Sequence, residues 1–166
     1  LPIEYCLIHY KKNVFEKLSW GRDSLLQIIT HLNKYYSKIV LINDIEGGSD
    51  NEFFKEIYDW FDFKTNNSLI NNHKVIYLEN IDGLDLFNVI KKAKKTIACH
   101  GTITLLGNLV NTQILDLFNC EINSSKDFYQ YKNSFHEHVP KNNYDFIIPN
   151  KDINKTLRKM KFSIIK

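Results

Sequence analysis

The residues Cys99-His100-Gly101-Thr102 are the place in this chain where type and spacing most clearly allow chemistry. A short apolar run, Thr96-Ile97-Ala98-Cys99, stops there, and a helix-like stretch, Thr102-Ile103-Thr104-Leu105-Leu106, begins. A strand that ends at a glycine and feeds straight into a helix presents backbone N–H groups with no intrahelical partner. Such an end attracts anions, phosphate above all. Gly101 lets the backbone approach a ligand closely, His100 stands beside it, and Thr102 or Thr104 offers a hydroxyl. The same residues also fit a plain tight turn with His100 on the surface.

Other side chains could join such a site. Lys17 and Trp20 follow the first apolar strand, where a cation can offset phosphate charge and an indole can wall a pocket; a solvated Lys beside a core-anchoring Trp fits equally. Glu46, in Glu46-Gly47-Gly48 after the second strand, stands where an acidic residue can bind ribose hydroxyls, or where a flexible turn simply leads into a helix. His136-Glu137-His138 lacks the i, i+4 spacing that puts two imidazoles on one helix face, so no metal site is expected. Cys99 reads as a small buried strand residue rather than a nucleophile.

The elements that must position these groups alternate along the chain. Apolar strand-like runs cover Glu4–Tyr10, Ile39–Ile42, Val75–Leu78, Thr96–Cys99, Gln113–Phe118 and Tyr144–Ile148. Between them lie helical patterns. Leu25, Ile28, Ile29, Leu32 and Tyr36 share one face of a helix from about Asp23 to Ser37. Ser49 and Glu52 have capping-box spacing ahead of Phe53, Phe54, Ile57, Tyr58 and Phe61. Leu86, Val89, Ile90 and Ala93 define a helix over Asp85–Lys94, a short one spans Thr102–Leu109, and Asn150 is placed to cap a last helix carrying Ile153, Leu157 and Met160. Lys11–Arg22, Lys64–His73 and Asn119–Asn143 read as loops. Apolar strands alternating with amphipathic helices predict βαβ units. The expected fold is α/β, a doubly wound Rossmann-like parallel sheet of five to six strands with helices on both faces, forming a single domain over residues 1–166.

Composition narrows the function classes. The chain of 166 residues is 43% hydrophobic and 25% charged, as ordinary globular domains are. A net charge of +3 without a dense basic stripe gives no reason to expect nucleic acid. Lys91-Lys92-Ala93-Lys94-Lys95 reads as a solvated helix end, where cations complement the macrodipole. Cys6, Cys99 and Cys120 are odd in number and far apart, so a reducing, cytoplasmic setting is expected. No run reaches the ~20 apolar residues of a membrane span. The start at Leu1 rather than Met is read as that of a fragment or excised domain. There is no G-x-G-x-x-G after the first strand, no G-x-x-x-x-G-K-[ST] and no G-x-S-x-G, which disfavours a dinucleotide dehydrogenase, a P-loop NTPase and an α/β-hydrolase.

The order of features is itself informative: a first strand, a K-x-x-W loop at Lys17 and Trp20, a Gly-Gly turn with an acidic residue, and a helix ending in KKAKKTIACHG before a short helix and an apolar strand. From about Glu4 to Phe118 this order resembles the C-terminal, donor-binding half of GT-B glycosyltransferases. It is most similar to the lipopolysaccharide heptosyltransferase family, glycosyltransferase family 9. In that family a Lys-Trp element meets the donor phosphate, and an Asp-Thr-Gly-x-x-His signature cradles the pyrophosphate with its backbone. Here the Lys–Trp spacing is one residue wider. Gly101 matches the glycine, while Cys99, His100 and Thr104 stand where Asp, Thr and His would be. The backbone role carries over; the sugar contact of the Asp does not.

The resemblance implies a metal-independent glycosyltransferase domain that uses a nucleotide-sugar donor and no cofactor. The donor would be held by Lys17, Trp20, Glu46, Tyr77, Asn80, His100, Gly101, Thr102 and Thr104, with the base near Tyr77–Asn80 and the ribose at Glu46. The glycan or glycolipid acceptor, a bacterial surface polysaccharide or lipopolysaccharide, and the catalytic base would come with an N-terminal half of the same enzyme. The acceptor would bring a cytoplasmic protein to the inner face of the membrane. Two other readings stay open: half of a nucleotide-sugar epimerase, and a non-catalytic flavodoxin-like or Rossmann-like interaction module.

Overall fold

The computed structural model describes residues 4–43, 67–70, 73–78, 81–118 and 143–164. The apolar run after Glu4 forms β1, Cys6–Tyr10, every residue of it buried. A buried strand is covered on both faces, which is why it reads as a continuous run rather than an alternation. Three more strands share that burial: β2 (Ile39–Asn43), β5 (Lys95–Cys99) and β6 (Ile114–Leu117). With β3 (Asn67–Ile70), β4 (His73–Leu78) and β7 (Tyr144–Ile147) they make one sheet in the order β3-β4-β2-β1-β5-β6-β7. All neighbouring pairs are parallel except β3 with β4. The doubly wound α/β sheet is therefore six parallel strands, as the alternation predicts, plus an antiparallel edge.

The pleat sends successive side chains to opposite faces, and each face has its own helices. Cys6, Ile8, Tyr10, Ile39, Leu41, Ile97, Cys99, Leu115 and Leu117 point to one side. They meet α1 (Lys12–Lys17), α2 (Arg22–Leu32) and α5 (Ile153–Ile164) through Phe15, Leu25, Ile29, Leu32 and Met160. Leu7, Val40, Ile42 and Ala98 point to the other, against α3 (Gly83–Lys92) and α4 (Thr102–Leu109) through Leu86, Val89, Ile90 and Ile103. Helices pack in pairs on each face, α2 on α5 and α3 on α4.

Several local expectations change. The polar stretch after β1 is not a loop throughout: it coils into α1, because Val14, Phe15 and Leu18 recur at helical spacing and bury against the sheet. The helix ends with Ser19 at φ 56°, where Ser19 N–H reaches the Glu16 carbonyl at 2.9 Å and Trp20 N–H the Phe15 carbonyl at 2.8 Å. β3 falls inside the expected loop Lys64–His73, as a short strand returning onto β4. Lys95 does not belong to the solvated cluster. It opens β5, is 5% exposed, and its ammonium donates to the Ser163 carbonyl in the last turn of α5, a favourable end for a cation. Asp152, not Asn150, caps α5 by accepting from Asn154 N–H at 3.1 Å; Asn150 accepts instead from Asp152 N–H at 2.9 Å.

Candidate functional site

In an open α/β sheet the ligand crevice lies outside the carboxyl ends of the strands, where the strand order reverses. Here the chain leaves β1 toward β2 on one side and later returns to β5 on the other. The crevice is thus bounded by Tyr10-Lys11 after β1 and by His100-Gly101 after β5.

Gly101 is the residue before α4, with φ 150° and ψ −148°, a backbone region that side chains with a Cβ rarely adopt. Its carbonyl accepts from Thr104 N–H at 3.0 Å and Leu105 N–H at 3.3 Å, and no side chain caps this helix end. A Cβ placed on Gly101 would lie 3.8 Å from Lys11 Nζ. An ammonium group therefore stands directly beside the helix N-terminus, and positive charge and helix dipole converge on one spot. Lys11 was not among the residues that the sequence singles out. The available signal was the end of the buried run at Tyr10, which makes Lys11 the first residue off the sheet edge.

His100 is tied to the neighbouring strands. Its Nδ1 lies 2.6 Å from Asp116 Oδ2, and Tyr144 donates to the same oxygen at 2.8 Å. Asp116 is 0% exposed in β6, while the His100 side chain keeps 17% exposure. The Phe118 ring meets the imidazole edge-on, with centroids 4.7 Å apart. A buried carboxylate calls for hydrogen bonds; His100 and Tyr144 both meet Asp116 at Oδ2, while its buried Oδ1 has no hydrogen-bond partner among the described residues. Asp116 was also missed. Its signal was an ionisable residue in the middle of Ile114-Leu115-Asp116-Leu117-Phe118, where full burial without a partner would be costly.

The remaining candidates are spread out. Thr102 is the exposed first residue of α4, beside Gly101. Thr104 is fully buried, and its Oγ1 has no hydrogen-bond partner among the described residues. Lys17 is exposed in the last turn of α1, the far end of the helix from Lys11. Trp20 is 3% exposed; it packs edge-on against Phe15 and its indole N–H points at the Asn150 and Lys151 carbonyls, at 3.1 and 3.3 Å. It pins the start of α5 to the core. Tyr77 is 1% exposed in β4, within the core on the α2 side of the sheet. Glu46, Asn80 and the His136-Glu137-His138 segment lie outside the described residues. Among the described residues, no group of three or more His, Cys, Asp and Glu side chains is arranged to hold a metal ion. Cys6 and Cys99 are buried free thiols, and burial pushes the Cys6 thiol well above its ordinary range. No helix among the described residues is long and apolar enough to cross a membrane.

Neither the family models nor the curated proteins contain a match to this sequence. Among solved structures, the chain is similar to the UDP-GlcNAc 2-epimerase from Methanocaldococcus jannaschii, with a TM-score of 0.58 and 13% sequence identity. The likeness covers 98% of this chain but 39% of that enzyme, so the chain spans well under half of its structural relative.

Proposed function

We propose that this chain is the nucleotide-sugar-binding part of a GT-B-type glycosyltransferase, with the donor diphosphate at the Gly101–Thr102 turn. The observation that carries the reading is the Lys11 ammonium beside the uncapped N-terminus of α4, at the sheet's switch point. Backbone N–H groups and the helix dipole would take the negative charge of the departing diphosphate without a metal. Lys11 adds a point charge. Thr102 would supply a hydroxyl, and Lys17 would contribute from the outer end of α1. Glu46 would reach the ribose, and Asn80 would stand near the base. The acceptor, a bacterial surface glycan or lipopolysaccharide, and the catalytic base would belong to a second half across the carboxyl edge, working at the inner face of the membrane. Half of a nucleotide-sugar epimerase is the second reading, favoured by the structural likeness to a UDP-GlcNAc 2-epimerase.

Thermal shift with UDP, ADP, GDP, CDP and CMP tests the binding. A ligand at a hundredfold excess over its Kd stabilises the fold by about 2.7 kcal/mol. The expected result is a rise in Tm with one nucleotide that shrinks in Lys11→Ala, and shrinks less in Lys17→Ala. A folded chain that responds to none of the five overturns the reading in favour of a non-catalytic module.

A further inference from the structure

The helix α5 carries four cations, Lys155, Arg158, Lys159 and Lys161, and no acidic residue, which is more positive charge than the net +3 of the whole chain. Ile153, Thr156, Met160 and Ser163 turn inward and are buried, while all four cations are exposed. Lys155, Arg158, Lys159 and Phe162 follow i, i+3, i+4, i+7 spacing and so share one outward face. The sequence hides this stripe because core residues interrupt it. Among the described residues none of the four cations pairs with a carboxylate. Like charges at this spacing destabilise a helix. The helix dipole favours Lys161, in the last turn, and opposes Lys155, in the first. Exposed apolar side chains border the same stripe. Phe162 is 72% exposed at its end, and Ile148 is 39% exposed where its carbonyl accepts from Lys159 Nζ at 3.1 Å. On the α2 side, Tyr35 is 39% exposed against His31, whose titration both Lys34 and Lys161 influence.

We propose that the outer face of α5 docks this protein on an anionic lipid bilayer, with Lys155, Arg158, Lys159 and Lys161 among the headgroups and Phe162 entering the boundary of the acyl chains. A bilayer answers both halves of the surface at once: its headgroups match the unpaired charges, and its boundary takes the exposed apolar groups. Phe162 could stack on a nucleic-acid base as well, but aliphatic Ile148 gains from lipid and not from stacking. The inner face of α5 stays in the core, so the contact is shallow and reversible. It needs neither a nucleotide nor an acceptor.

Co-sedimentation of the full chain with vesicles tests the docking. Vesicles of phosphatidylglycerol and phosphatidylcholine in equal parts should bind the chain at about 0.1 M salt and release it near 1 M. Vesicles of phosphatidylcholine alone should not bind it. Each cation at an anionic surface is worth about fivefold in partitioning. Lys155→Gln with Arg158→Gln should therefore weaken binding by about twentyfold or more. Lys91→Gln with Lys92→Gln removes the same charge from the exposed end of α3 and should leave binding nearly unchanged. Phe162→Ser should weaken binding severalfold, and the emission of Phe162→Trp should shift to the blue on the vesicles. All of these positions are exposed, and circular dichroism checks that each variant keeps the fold. Equal losses in the two lysine and arginine pairs, or undiminished binding in Phe162→Ser, overturns the proposal. A chain that ignores the anionic vesicles but retards single-stranded RNA makes the stripe a nucleic-acid face and overturns it too. A nucleotide that raises Tm in a chain that ignores the vesicles removes this inference and leaves the nucleotide reading standing; binding to the anionic vesicles without any nucleotide response does the reverse.

Discussion

Gly101 shows how much one residue decides. Its backbone angles lie in a region open almost only to glycine, and the space beside it is ordinary: a Cβ would meet Lys11 Nζ at 3.8 Å. Gly101→Ala is therefore strained by its backbone and not by crowding. The expected cost is on the order of 1–3 kcal/mol, read from denaturant unfolding. The chain should relieve the strain by shifting the turn, so nucleotide response should fall along with stability. An alanine variant as stable as the parent would mean that the turn relaxes at no cost. The glycine was legible in the sequence because a Gly between an apolar run and a helical pattern is a local signal. Lys11 and Asp116 were not, because their roles depend on which strands lie side by side. The strand order sets β5 between β1 and β6, and this alone brings residues 11, 100 and 116 together.

At the scale of elements, helix ends and helix contacts carry separate predictions. Ser19 closes α1 in the left-handed region, which costs an L-residue roughly 1–2 kcal/mol that glycine avoids. Ser19→Gly should raise stability by about 1 kcal/mol, and in a domain of this size Tm by about 2–4 °C. An unchanged Tm would mean that the looser unfolded chain cancels the gain. Gly107 is the opposite case. In the middle of α4 an alanine would be the better helix former by about 1 kcal/mol. Yet its Cβ would lie 2.3 Å from Ile114 Cδ1 and 2.9 Å from Ile114 Cγ1, in a buried contact between α4 and β6. Overpacking of this kind costs about 1–3 kcal/mol, so Gly107→Ala should be destabilising overall. Gly107→Ala with Ile114→Val should recover part of the loss; equal effects in the single and double variants would place the strain elsewhere. Sequence pattern found α4 and missed this contact, since helix periodicity says which face is apolar and nothing of how closely the next strand approaches. It missed α1 and β3 because each lies in a mostly polar stretch, where Val14, Phe15 and Leu18, or Leu69 and Ile70, do not stand out as an apolar run.

For the molecule as a whole, alternation of buried strands and amphipathic helices was enough to give a doubly wound sheet, because each element must cover the face of another. The way α5 closes the structure was not visible in that pattern. Trp20 and Lys95 reach its two ends, while Met160 packs at its centre. Opposite lies His31 on α2, with the Tyr35 ring tilted 54° against it at 5.7 Å between ring centroids. Burial holds the His31 imidazole below its ordinary range, and the Lys34 and Lys161 charges lower it further. Its buried Nε2 has no hydrogen-bond partner among the described residues. The folded state therefore resists a proton that the unfolded chain accepts. The stability linked to this group is complete above the unfolded value of about 6.5. It is lost as pH falls through that value toward the lower folded one. Tm should drop as the pH is taken from 7 to below 6, and His31→Gln should flatten that slope, since glutamine cannot titrate. Removing the Lys161 charge with Lys161→Gln should reduce the slope in part, because one of the two repelling cations is gone while burial remains. If His31→Gln leaves the slope as it was, acid sensitivity arises elsewhere than at the contact of α2 with α5.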